Sequence, residues 1–267
     1  MLTSAMAFQW LEHTEDLSNR EARFRSLFSI FYTPIYGLQM GREPPRVLKL
    51  SISWFMLHAP QDLSIKAANK ELERIDAVFI SYENASSGLI DPEGIERLCS
   101  DLEVDHTDVR VLMLAWKMKA EKQGYFTLEE WRVGLKGLRV DNVNKLKKAL
   151  PELEKEVRRP SNFVDFYSYA FEYCLTEEKQ KSIDIDSICE LLNIVLGSQY
   201  HLQVDLFTQY LKIQNDYKVI NMDQWMGFYR FCNEISFPDL SNYDPELAWP
   251  LILDNFVDWI QDKQSQS

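Results

Sequence analysis

Four cysteines and four histidines are the side chains most able to carry covalent or metal chemistry in this sequence, and neither set is arranged for it. Cys99, Cys174, Cys189 and Cys232 include no CxxC pair. A zinc ribbon or a RING-type ligase needs clustered thiolates, so both are excluded. A nucleophilic cysteine needs an electropositive, partly open surrounding that lowers its pKa. Cys99 and Cys232 stand instead among apolar residues at helical spacing, where a buried free thiol is the ordinary outcome. His13, His58, His106 and His201 are isolated from one another and from the cysteines. No GxSxG, HExxH or phosphate-loop pattern is present. A cysteine-based transferase acting through Cys99 or Cys232 is the one covalent alternative.

Two loops have the skeleton of a calcium site without its ligands. Gly88 and Gly124 are each followed two residues later by an apolar residue, Ile90 and Phe126. With Gly88 at the sixth loop position, Glu83, Ala85 and Ser87 fill the first ligand positions, and Gly94 stands where the bidentate Glu belongs. With Gly124 there, the same positions hold Lys119, Glu121 and Gln123, with Glu130 at the end. A Lys in the first ligand position opposes a cation. The loops read as structural mimics, and no cofactor or metal is expected. The alternative is an EF-hand-like calcium-sensing interaction protein.

The helices that hold these loops follow from periodicity and caps. Leu72, Ile75, Val78 and Phe79 recur at helical spacing from Ala67 onward. Asp91-Pro92 opens a second helix and Asp105 is the expected cap of a third, which carries Val109, Leu112, Met113 and Trp116. Thr127-Leu-Glu-Glu130 is a capping box ahead of Trp131. Further helices are predicted over Val143–Val157, Phe163–Leu175, Asp186–Leu196, Val204–Ile213, Met222–Cys232 and Pro245–Ile260. Phe163–Leu175 is aromatic on nearly every side and is expected to be buried. The only strand signals are short apolar pairs near Tyr125 and Val219, where loops could pair as a minimal ladder. The fold class is all-α: a multi-helix domain opening with two calcium-free EF-hand-like helix-loop-helix units. An N-terminal helical or partly disordered extension precedes it. The expected boundaries are an extension over 1–66, a domain over 67–262 and a disordered tail over 263–267.

The totals agree with a folded, non-nucleic-acid-binding protein. The chain has 267 residues, 46% hydrophobic and 26% charged, with a formal net charge of -12 and only 9 Gly. That length supports a sizeable core. No basic stripe exists to neutralise phosphates. No signal peptide or myristoylation signal is evident at the start, and the apolar run Leu27–Leu38 is too short to span a bilayer. A nuclear and cytoplasmic location is expected.

The C-terminal segment is unusual in charge. From Phe231 to Asp262 it contains Glu234, Asp239, Asp244, Glu246, Asp254, Asp258 and Asp262, and no Lys or Arg. Tyr243, Trp249, Phe256 and Trp259 lie among them. Composition leaves two readings open: a docking face for a basic, amphipathic partner, or a C-terminal helix with its Trp residues in the core and its acids in water. Ser241-Asn-Tyr-Asp-Pro-Glu-Leu-Ala-Trp-Pro250 and the following Leu-Ile-Leu-Asp254-Asn-Phe256-Val closely resemble the closing signature of the defective-in-cullin-neddylation family. Met113-Leu-Ala-Trp-Lys117, Phe163-Val-Asp-Phe-Tyr167 and Asp223-Gln-Trp225 resemble that family too, in order, so the resemblance covers roughly residues 67–262.

The resemblance implies a potentiating-neddylation domain that acts as a scaffold-type accessory ligase component and not as an enzyme. Its partners would be the cullin C-terminal winged-helix domain, within a cullin-RING complex, and the N-acetylated conjugating enzyme of the Nedd/Rub modifier. It implies a monomer that binds no nucleic acid and no membrane. Carried over residue by residue, the cullin-binding patch is Asp223, Ala248 and Asp254. The pocket for the conjugating enzyme's N-terminus is Ile95, Val111, Leu114, Gln123, Phe126, Tyr173, Leu191 and Ile194. All of these except Gln123 could be plain core residues, and for any one position that is the better reading. The ubiquitin-associated domain of some relatives is not recognisable in residues 1–66.

Overall fold

The computed structural model describes residues 61–265, with side chains from Lys66 onward. The expected N-terminal extension, including the apolar run Leu27–Leu38, lies outside the described residues except for its last turn. Ten helices and one two-stranded ladder make up the described residues. In chain order they are α1 (Gln61–Tyr82), α2 (Pro92–Leu102), α3 (Val109–Met118), α4 (Leu128–Leu138), α5 (Val143–Val157), α6 (Pro160–Tyr173), β1 (Ser182–Asp184), α7 (Ile185–Val195), α8 (His201–Ile213), β2 (Val219–Asn221), α9 (Met222–Glu234) and α10 (Leu251–Ser265). No described helix is long and apolar enough to cross a membrane.

The same four-helix device occurs twice. In the first half the loop after α1 and the loop before α4 meet at an antiparallel bridge, with Ile90 N–H donating to the Phe126 carbonyl at 3.0 Å and Phe126 N–H returning to Ile90 at 2.9 Å. In the second half β1 pairs antiparallel with β2, Ile183 opposite Ile220. Each half then closes with a helix that starts in a capping box, Thr127/Glu130 for α4 and Asn221/Gln224 for α9. Four residues after each cap stands a fully buried tryptophan. The Trp131 indole N–H donates to the Ile75 carbonyl of α1 at 3.1 Å, and the Trp225 indole N–H donates to the Tyr167 carbonyl of α6 at 2.9 Å. Each tryptophan thus ties the last helix of its half to the first, satisfying a buried donor as it does so. α5 joins the halves, packing on α2 and α3 on one side and on α6 on the other.

Several boundaries differ from expectation, each for a local reason. The cap of α3 is Asp108, whose carboxylate accepts from Arg110 N–H at 2.9 Å; Asp105 is spent on the Thr107 N–H and hydroxyl. α10 starts at Leu251 and not at Pro245. Pro250 has no N–H to continue a helix from residues before it, and its carbonyl accepts from Leu253 N–H at 2.8 Å as the helix begins. Ala248 therefore lies in the irregular segment before the helix. α10 runs on to Ser265, past the expected end of the domain at Asp262. α6 is not buried all round: Phe163, Phe166, Tyr167, Ala170 and Phe171 face the core, while Val164, Asp165 and Glu172 are exposed. The ladder partner of Val219, the polar segment Ser182–Asp184, was not predicted.

Candidate functional site

The acidic end of the second half is assembled by α9, α10 and the segment between them. Asp223 lies in the first turn of α9, exposed, and no basic side chain pairs with it among the described residues. Its counterpart in the first half, Glu129, lies 3.6 Å from Arg132. One turn after Asp223, Gly227 abuts Pro250: a Cβ there would stand 2.7 Å from the proline Cγ. The missing side chain lets the 243–250 segment lie directly on α9. That contact brings the start of α10 to the face of α9 that carries Asp223. Ala248 is exposed two residues before Pro250, and Asp254 is half-buried in the first turn of α10. An acid in a helix's first turn is favoured by the helix dipole.

The segment is braced from within. The Tyr243 hydroxyl donates to the Asp254 carboxylate through a short hydrogen bond. Burial first, and that carboxylate second, push the Tyr243 pKa well up, so the phenol stays protonated and keeps donating. Tyr243 stacks on Trp249, ring centroids 5.8 Å apart, and the Arg230 guanidinium lies 4.1 Å over the Trp249 ring while bonding Glu234 at 2.9 Å. Asn255 donates to the Tyr217 hydroxyl at 3.2 Å, tying α10 to the β2 loop. The composition of this segment could have pointed to its acids, but neither the Tyr243 brace nor the Gly227 contact leaves a spacing signal.

A profile described as "Cullin binding" matches residues 145–259, a stretch that contains all of this surface. DCN1-like protein 4 of Homo sapiens is 42% identical over 184 residues, covering 68% of this chain and 62% of that protein. DCN1-like protein 4 of Danio rerio is 40% identical, covering 64% of its length, so the match spans less than two thirds of these relatives. DCN1-like protein 5 of Bos taurus is 38% identical over 189 residues, covering 71% of this chain and 78% of that protein. This chain belongs to the DCN1-like, defective-in-cullin-neddylation family.

The residues that the family resemblance assigns to the conjugating-enzyme pocket fall into three groups. Ile95, Val111, Leu114 and Phe126 line one apolar cavity between α2, α3 and α5, of only about 10 Å³. That is at the lower limit for one water and far too small for a methionine side chain. Gln123 and Tyr173 lie where the loop before α4 meets the end of α6: the Gln123 amide donates to Cys174 Sγ at 3.8 Å, and Gly124 N–H donates to the Tyr173 hydroxyl at 3.3 Å. Leu191 and Ile194 belong to α7 in the second half, Leu191 buried and Ile194 half-buried. The cavity lined by Ile95 includes none of Gln123, Tyr173, Leu191 and Ile194. A larger groove of about 750 Å³ runs between α3, α4 and α6, lined by Trp116, Lys117, Val133, Asp165, Tyr169 and Tyr173 among others.

In this DCN1-like chain the loops are held by side chains. Asn84 donates to Asp91 at 2.7 Å and accepts from Ser86 N–H at 3.0 Å. The Gly94 position is closed to any ligand, because a Cβ there would lie 2.3 Å from the Tyr82 carbonyl oxygen. Glu130 spends both carboxylate oxygens on its own loop, accepting from Glu121 N–H at 2.8 Å, Thr127 N–H at 2.7 Å and the Thr127 hydroxyl at 2.9 Å. Gln180 and Gln214 brace the second pair of loops in the same manner. No group of metal-ligating side chains occurs among the described residues. Calcium titration is expected to release no heat, whereas Glu130→Ala is expected to lower unfolding free energy by about 1–3 kcal/mol, read from a denaturant midpoint.

The thiols are poorly placed for attack. Cys99, Cys189 and Cys232 are buried and Cys174 is half-buried. Burial is the leading cause of a raised pKa at all four, with Cys174 pushed up to about 11. A thiol held protonated near neutral pH makes a weak nucleophile.

Proposed function

We propose that this protein promotes attachment of the Nedd/Rub modifier to cullins, as a scaffold with no catalytic residue of its own. In this reading Asp223 and Asp254 meet basic side chains on the cullin C-terminal winged-helix domain, and the small Ala248 lets that domain approach closely. The region around Ile95, Val111, Leu114, Gln123, Phe126, Tyr173, Leu191 and Ile194 receives the N-acetylated terminus of the conjugating enzyme. The small cavity there would have to widen, and a charged amine would be costly to bury in it. The helix-loop-helix pairs are EF-hand-like units in which side chains replace the cation. Nucleus and cytoplasm are the compartments proposed, and four unpaired thiols suit a reducing one.

The observation that carries this reading is that exposed Asp223 and half-buried Asp254, neither paired with a basic side chain among the described residues, lie on the α9–α10 end of a chain whose family is cullin-binding. An acid with no internal cation beside it is available to an external one. Mechanistically, holding acceptor and donor together turns a three-body encounter into a near-intramolecular step. The test is the rate of cullin modification as this protein is titrated. A scaffold is expected to raise the rate and then depress it in excess, as acceptor and donor are sequestered on separate copies. A rate that saturates without decline, or no acceleration at all, contradicts the scaffold.

A further inference from the structure

The acidic end carries exposed apolar side chains that the charges alone do not account for. Leu247 and Leu251 are 46% and 67% exposed, on either side of Ala248 and the buried Trp249. Large aliphatic side chains left in water on one short segment mark a surface that something else covers. Asp244, Glu246, Asp254 and Asp258 surround them in sequence, and no Lys or Arg occurs from Phe231 to Asp262. Arg230, which precedes this stretch, is already spent on the Trp249 ring and Glu234. Trp249 between the two leucines holds the one buried side-chain polar atom without a partner among the described residues, its indole N–H. Hydrogen bonding within the domain is therefore incomplete at this point too.

We propose that Leu247 and Leu251 are the apolar anchors of the acceptor-docking face, received by apolar side chains that lie among the basic residues of the cullin winged-helix domain. The inference rests on the function proposed above. Charge complementarity selects a basic partner, and the leucines fix where on that partner the face seats. The acids select and orient the partner, and desolvated apolar contacts add a hold that salt does not screen.

The two contributions separate by salt. The full chain and the isolated cullin C-terminal winged-helix domain are titrated calorimetrically at low and high ionic strength. The Leu247→Ser, Leu251→Ser double variant is expected to bind about 10–100-fold more weakly, by a similar factor at both salt concentrations. The loss from Asp254→Lys is expected to shrink as salt rises. Leu247→Met with Leu251→Met should restore binding. Both sites are exposed, so the thermal midpoint should stay put. Wild-type affinity in the double-serine variant, alongside weakened binding by Asp254→Lys, overturns the anchors and leaves the acidic patch standing. No binding by the wild-type chain overturns both. Self-association of the wild-type chain that the serine variant abolishes assigns the face to a second copy and also overturns the inference.

Discussion

Asp254→Lys is expected to abolish most of the acceleration of cullin modification, with affinity for the cullin domain falling by about 10–100-fold. Each acid desolvated against a basic partner is worth about 1–3 kcal/mol, and the lysine adds repulsion where attraction stood. Geometry sharpens the prediction. Tyr243 holds the Asp254 carboxylate through one oxygen, so the group does not search orientations when the partner arrives. Asp254→Asn keeps an acceptor for Tyr243 and removes only the charge, so it should lose less than the lysine variant. Tyr243→Phe keeps the charge and frees the carboxylate, and it should lose least. The ordering Lys, Asn, Phe, read as transfer rates at equal protein concentration, separates charge from positioning. Equal rates for wild type and Asp254→Lys would remove this residue from the site.

Trp225→Ala is expected to unfold much of the second half, costing about 3–5 kcal/mol. Its ring is fully buried and stacks on Tyr167 with centroids 4.2 Å apart. Its N–H donates to the Tyr167 carbonyl at 2.9 Å, and the Tyr167 hydroxyl returns a bond to the Trp225 carbonyl at 3.1 Å. Truncation would open a cavity and remove the indole bond that ties α9 to the Tyr167 carbonyl of α6. A loss of that size is a large share of the stability of an ordinary domain. Trp225→Phe keeps most of the volume and loses the donor, so it should cost less, about 1–3 kcal/mol. Denaturant midpoints measure both. Because Asp223 stands two residues upstream on the same helix, the alanine variant should also fail to bind cullin, whereas the phenylalanine variant should bind. A stable Trp225→Ala protein would show that α9 is not held from this side.

What the sequence disclosed divides along physical lines. Amphipathic spacing located the helices, because burial of one stripe depends only on local periodicity; Val143–Val157 was predicted to the residue. The Thr127 capping box was readable for the same reason, since it is a contact between neighbours. Pairings between distant segments were harder to read. Ser182–Asp184 is extended only because Val219–Asn221 lies beside it, and three residues with polar ends carry no period of their own. The twofold repeat was hidden because Asn221 and Gln224 do the work of Thr127 and Glu130 with different side chains. Proline set the start of α10, yet the choice between Pro245 and Pro250 depended on how the segment lies against Gly227. The residues of the acidic patch entered through family resemblance. Their exposure, the Tyr243 brace and the flanking leucines could only be seen once the helices were in place.

The central claim is that the end of the domain bearing Asp223, Ala248 and Asp254 binds the cullin C-terminal winged-helix domain. Calorimetric titration of that domain into the full chain, beside the Asp223→Lys, Ala248→Arg, Asp254→Lys triple variant, tests it most directly. The expected result is saturable one-to-one binding by the wild-type chain, weakened by salt, and no measurable heat from the folded triple variant. Equal binding by both proteins, or none by either, would contradict it.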